Sequence, residues 1–253
     1  MRSYFAGLLT FIVCVFLVWL INRTLIISNS NIAFFSTLLI IVMSLVLIGV
    51  VTNGRPDGIL IDSRNRVSLS KFQATLWTIL VIAAIVCVAS HNLTLNGELL
   101  PLDFDIPTPL LAATGISATS LVAAPVCLSF KARANPTPEN VAKAAADLAA
   151  VGAVPRFAGK LFGRADPASA SWADMIRGEE LGTETTPDLA KIQQLYFSLL
   201  LIGIYGIAVL HVLSGTAAKI PGLPELNEKL VWLMGVSHAS YLAYKAAPQT
   251  ANG

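Results

Sequence analysis

Apolar residues fall into six long runs, at positions 4–21, 32–51, 71–90, 110–130, 193–213 and 230–247, separated by polar connections. A helix needs about 20 residues to cross the roughly 30 Å hydrocarbon core of a bilayer, and each run meets or approaches that length. The pattern predicts an all-α, polytopic membrane protein with six transmembrane helices. The first run follows a single Arg2 but is too long for the apolar part of a signal peptide and has no small-x-small cleavage site after it, so it is expected to stay as an anchor.

The runs are not independent. Residues 68–124 reappear 120 positions later as 188–244, and 13 of the 57 aligned pairs are identical, among them Lys71/Lys191, Gln73/Gln193, His91/His211, Pro101/Pro221, Gly115/Gly235, Ser117/Ser237 and Ser120/Ser240. Each copy holds two runs, a helical hairpin. A unit with an even number of spans enters the membrane in the same orientation each time, so a parallel tandem repeat of a two-helix hairpin is expected, not an inverted one. This divides the chain into a two-span anchor (1–51), repeat 1 with its preceding loop (52–130), a polar segment (131–187) and repeat 2 with a short tail (188–253).

The connections carry local signals. Asn-Gly and Asp-Gly pairs around Ile59-Leu60-Ile61 predict turns with one small hairpin in the loop before the third span. Ser68 and Asp188 stand at equivalent helix starts, where a side-chain oxygen can accept from orphan amides. The 131–187 segment has an alanine-rich stretch after Pro138 and a capping-box spacing at Ser171 to Asp174, which predict helices lying against the membrane face with Phe157, Phe162 and Trp172 at the headgroups. Fourteen of the 17 Lys and Arg residues fall at the N-terminus, in 52–73, in 131–193 or in the tail, so the positive-inside bias predicts that both termini are cytoplasmic.

Composition agrees with a bilayer and narrows the chemistry. The chain is 55 % apolar and only 13 % charged, where a soluble domain is nearer a quarter charged, and its net charge of +2 gives no reason to expect a nucleic-acid partner. Cys14, Cys87 and Cys127 all lie within or at the end of apolar runs and form no CxxC pair. No HExxH, phosphate-cradling glycine loop, nucleophile elbow or metal-ligand spacing occurs, so no enzyme, metal or cofactor is expected.

Three groups of residues are candidates. Gly115, Ser117, Ser120, Gly235, Ser237, His238 and Ser240 form a small and polar seam, in which glycines let helix backbones approach and a histidine at mid-bilayer depth is costly. Bulk at Gly235 is expected to disturb assembly more than truncation of His238. Lys71, Gln73, Lys191 and Gln193 stand at the cytoplasmic entrances of equivalent helices, as a ring at a pore mouth or as lysines snorkelling to headgroups. Arg64 and Arg66 align with an acidic stretch holding Glu184, near Glu179 and Glu180, which is expected to clamp the two loops, to dock a partner, or to leave the arginines on anionic lipid.

The strings RGEELG, DLAKIQ and GVSHASYLAYKA resemble those of uncharacterised bacterial multi-pass inner-membrane proteins, a likeness that covers roughly the last 80 residues well. It implies a bacterial inner membrane and brings no substrate. The expected function is a structural or interaction component, forming a homo-oligomer or docking a membrane or cytoplasmic partner; a small channel or transporter with His238, Ser237 and Ser240 along its seam is the alternative.

Overall fold

The computed structural model describes residues 2–96, 103–150, 155–215 and 218–247, with side chains described from residue 12 onward apart from those of 96 and 155. Seven helices dominate: α1 (Arg2–Leu25), α2 (Ser30–Asn53), α3 (Leu69–Asn96), α4 (Thr108–Arg133), α5 (Pro138–Ala150), α6 (Leu189–Ser214) and α7 (Glu228–Ala246). Four of them, α2, α3, α4 and α6, are long and apolar enough to cross a membrane. In α7, Glu228, Lys229 and Lys245 at the ends and Gly235, Ser237, His238 and Ser240 between them dilute the apolar content.

The starts are written in side-chain oxygens. Asp188 accepts from the Lys191 amide (3.2 Å), Asn227 from that of Lys229 (2.9 Å) and Ser68 from that of Lys71 (3.4 Å), each satisfying a donor that the first helical turn leaves without a partner. At the end of α2, Gly54 takes φ +70° and its amide returns to Val50 O at 3.0 Å. The chain then folds tightly under α2. A Cβ on Gly49 would meet Arg55 O and Gly58 N at 2.9 Å, so this crossing needs glycine.

Helices α3, α4, α7 and α6 pack in a ring, α3 to α4, α4 to α7, α7 to α6 and α6 back to α3, while α2 lies against α3 and α6 and α1 against α2. The shared core includes Phe34, Trp77, Leu80, Leu110, Leu201, Tyr205 and Met234. At one end, loops tie the two hairpins together: Asn92 exchanges two hydrogen bonds with the Ile220 backbone (3.0 and 2.9 Å), and Asp105 bonds Pro221 O and the Leu223 amide (2.8 and 2.9 Å).

At the opposite end the structure departs from the all-helical expectation. Part of the 131–187 segment forms an antiparallel hairpin, β1 (Pro155–Ala158) and β2 (Leu161–Arg164), turning at Gly159 with φ +57°. Its β2 edge bonds the 64–65 loop through the Arg164 amide to Arg64 O (2.9 Å) and Asn65 Nδ2 to Arg164 O (3.0 Å). Residues 179–181 join it through the Phe162 amide to Glu179 O (3.0 Å). Phe162 is therefore not at a headgroup: it is buried between the guanidinium groups of Arg66 and Arg164, 5.3 and 5.9 Å from its ring centre. Phe157 and Trp172 do lie half-exposed or exposed. The amphipathic α5 lays Ala144 and Leu148 on Phe162 and Leu181. A folded headpiece of two chain segments thus sits on the helix ring, where separate surface helices were expected.

Candidate functional site

Within the ring, polar side chains of four helices meet at His238. Ser120 Oγ of α4 lies 2.6 Å from its Nδ1, Gln194 Nε2 of α6 3.2 Å from the same nitrogen, and Ser198 Oγ of α6 3.4 Å from Nε2. The amide of Gln194 donates, so Nδ1 is the accepting nitrogen and the neutral ring carries its proton on Nε2, toward Ser198. Gln73 of α3 completes the set: its amide donates to Gln194 O (3.1 Å) and Ser198 Oγ (2.8 Å), and its Oε1 accepts from Gln194 Nε2 (2.9 Å). All five residues are buried. Each helix of the ring contributes, so the network fixes which faces meet.

One end of the ring is closed by charge. Glu179 takes three cations from three elements: Lys191 Nζ (2.8 Å), Lys245 Nζ (2.9 Å) and Arg64 Nη2 (3.2 Å). Burial pushes this carboxyl up, but the four nearby cations, Lys191 first, outweigh it and hold it well below the ordinary range. Lys131 pairs with Glu180 and donates to Ala247 O at 2.6 Å. Asp174 takes Arg164 on both oxygens (3.0 and 2.8 Å) and is held below its usual value, burial notwithstanding, by that bond and by Arg66. Lys245 Nζ also donates to Tyr241 Oη (2.7 Å), which lies 3.5 Å from Ser70 Oγ, one turn before Gln73. The charged cluster and the seam thus reach α3 one helical turn apart.

The candidate seam residues separate. Ser117, Ser120, Ser237 and His238 are buried, whereas Gly115 and Ser240 are exposed and Gly235 is half-buried. A Cβ on Gly115 would meet nothing within 4 Å and one on Gly235 only Ile116 Cδ1 at 3.5 Å, so neither glycine marks a close approach inside the molecule. The hydroxyls of Ser117 and Ser237 have no partner among the described residues. At the helix entrances, Gln73 joins the network but Gln193 is exposed and its neighbour Gln194 takes the buried place. Lys71 and Lys191 neither ring a pore nor snorkel outward; they fold back onto loop carbonyls, Ile61 O (2.6 Å) and Arg177 O (2.7 Å).

The five residues considered for docking need correction. Arg64, Arg66, Glu179, Glu180 and Glu184 all face inward, with Arg66, Glu180 and Glu184 only 2 to 3 % exposed: Arg64 and Glu179 pair across the two loops, Glu180 takes Lys131 from the end of α4, and Glu184 accepts from the Gly182 amide. They clamp the loops and offer little to a partner. Gln194, Ser198, Ser70, Tyr241, Lys131, Lys245, Arg164 and Asp174 were missed. For Gln194 and Ser198 a signal existed: the buried face of α6 runs Lys191, Gln194, Ser198, Leu201, Tyr205, alternating three and four residues apart. Among the described residues, no three His, Cys, Asp or Glu side chains come together as metal ligands. Comparison with protein-family models, with curated proteins and with solved structures returns no match.

Proposed function

We propose that the chain is a six-span component of a bacterial inner membrane, with both termini cytoplasmic, built on a duplicated helical hairpin and acting as a structural or interaction protein, not as an enzyme. The observation that carries this reading is the seam around His238, whose partners are other side chains of the same ring: its hydrogen bonds are spent on holding four helices together. The duplication is supported by local geometry. Helices α3 and α6 start 120 residues apart, as do α4 and α7. An isolated antiparallel bridge precedes each first helix, Ile61 with Val67 and Arg177 with Pro187, and Lys71 and Lys191 donate to the residue that opens each bridge.

Self-association uses the outward face of α4 in this reading, where Gly115 and Thr119 stand one turn apart with open space beside them. Gly115→Leu tests it, since a Cβ there meets nothing within 4 Å among the described residues. A loss of oligomer in mild detergent with an unchanged melting temperature is expected, and an unchanged oligomer overturns it. The permeation reading keeps one specific support: inside the helix ring, Ser117 Oγ, Ser237 Oγ, Gln194 Oε1, Trp77 Nε1 and Tyr205 Oη are buried polar atoms without a partner among the described residues. Ion flux in proteoliposomes that falls in His238→Ala would decide for it.

A further inference from the structure

A cavity of about 380 Å³ opens between α4 and the headpiece, within the size range of small-molecule sites. Its two sides differ in chemistry. One wall is the apolar flank of α4, with Leu121, Pro125 and Leu128. The other is charged, and of its eight ionisable residues five are basic and three acidic. The three carboxylates are already engaged: Asp62 by Arg64, Asp174 by Arg164, Glu179 by Lys191, Lys245 and Arg64. The cations are not all engaged. Arg156 is exposed and has no ion-pair partner among the described residues, and Lys71 spends one donor on Ile61 O and meets no carboxylate. Arg66, 2 % exposed, comes no nearer to a carboxylate than 3.8 Å and leaves Nη1 without an acceptor. Excess positive charge and spare N–H donors therefore line one side of the cavity.

Depth decides the rest. At 1.5 Å per residue, Ser129 and Leu121 lie about 6 and 18 Å back from the end of α4 at Arg133, so in the membrane orientation proposed above, on which this inference rests, the apolar wall runs from the level of headgroups into the hydrocarbon. We propose that this cavity is a binding site for one anionic phospholipid, whose phosphate meets Arg156 and Lys71, with the charge of the buried Arg66 behind them, while an acyl chain lies along Leu121, Pro125 and Leu128. A free anion would satisfy only the charged side and a zwitterionic lipid would bring its own cation to it.

The site is tested by native mass spectrometry and thermal melting of the full chain purified in detergent, with phosphatidylglycerol, phosphatidylcholine or inorganic phosphate added. Phosphatidylglycerol is expected to stay bound at one per chain and to raise the melting temperature, where phosphatidylcholine and phosphate do neither. Arg156→Glu, at an exposed position, and Leu121→Trp, which fills the apolar wall, should each weaken phosphatidylglycerol retention by about fivefold or more, the effect of one basic contact at a membrane surface. Both variants should keep the wild-type melting temperature without lipid; if one does not, Arg156→Gln or Leu121→Phe replaces it in the same comparison. Equal retention of phosphatidylcholine, or undiminished phosphatidylglycerol binding in the charge and wall variants, overturns the site. A full shift with inorganic phosphate alone overturns the lipid assignment.

Discussion

Glu179 is the residue on which the headpiece and the helix ring meet, because its two oxygens gather Arg64 from the loop before α3, Lys191 from the start of α6 and Lys245 from the end of α7. Removing the charge leaves three cations around a neutral amide, and its side chain is 12 % exposed, so Glu179→Gln should cost about 3 kcal/mol, the low end for breaking a buried pair. Its folded value lies below the ordinary glutamate value of 4.5, so its stabilisation is complete above pH 4.5 and is lost as pH falls through the depressed value. Melting temperature of the wild type should hold down to pH 4.5 and drop below it, and Glu179→Gln should remove that drop; an equal acid drop in the variant would show that other carboxyls govern it. At His238, truncation removes three contacts worth roughly 0.6 kcal/mol each and strands Ser120, while Gln194 keeps its bond to Gln73, giving about 3 to 5 kcal/mol in all. Gly235→Leu begins at an ordinary 3.5 Å contact and continues into an open groove between α4 and α7. Within a single chain His238→Ala should therefore be the weaker protein on unfolding in mixed micelles, while the expected effect of Gly235→Leu on assembly is read from the oligomeric state.

At the scale of an element, the start of α6 shows a cap working against burial. Asp188 accepts from the Lys191 amide, yet it is 5 % exposed, and burial raises its carboxyl above the usual value despite that bond. A raised carboxyl means that ionisation opposes folding, so this position contributes less as pH rises past its folded value. Asp188→Asn keeps the accepting oxygen without the charge and should be neutral or stabilising, whereas Asp188→Ala should lose about 1 kcal/mol, the usual worth of a cap. Thermal melts at pH 8 separate the two; a variant with Asn as weak as the one with Ala would mean that the charge, not the oxygen, holds the first turn.

For the whole molecule, the loops at Asn92, Asp105 and Ile220 lie at one end of the ring and the headpiece at the other. An exposed headpiece residue, Ala168, and an exposed residue of the opposite loop, Glu225, would mark opposite faces of a bilayer in the proposed topology. With the basic residues gathered around the headpiece, Ala168→Cys should be protected from an impermeant thiol reagent in intact cells and Glu225→Cys labelled. Labelling of both from outside would sink the six-span reading. Gly97 and the C-terminus, expected outside and inside, lie beyond the described residues.

The apolar runs by themselves determined the helices, because a stretch that must satisfy every backbone group in hydrocarbon has little choice but to be helical. Ser68 and Asp188 marked their starts for an equally local reason, an oxygen within reach of orphan amides. His238 stood out because a histidine at such depth is costly. Its partners did not stand out, since which faces of α3, α4, α6 and α7 meet depends on how helices rotate when they pack, and a one-residue difference moved the buried place from Gln193 to Gln194. The headpiece was least legible. Charges at 64–66 and 179–184 left a clamp, a docking surface and lipid contact equally open, because only the folded β2 edge, which holds both loops, brings Arg64 onto Glu179 and makes their burial less costly.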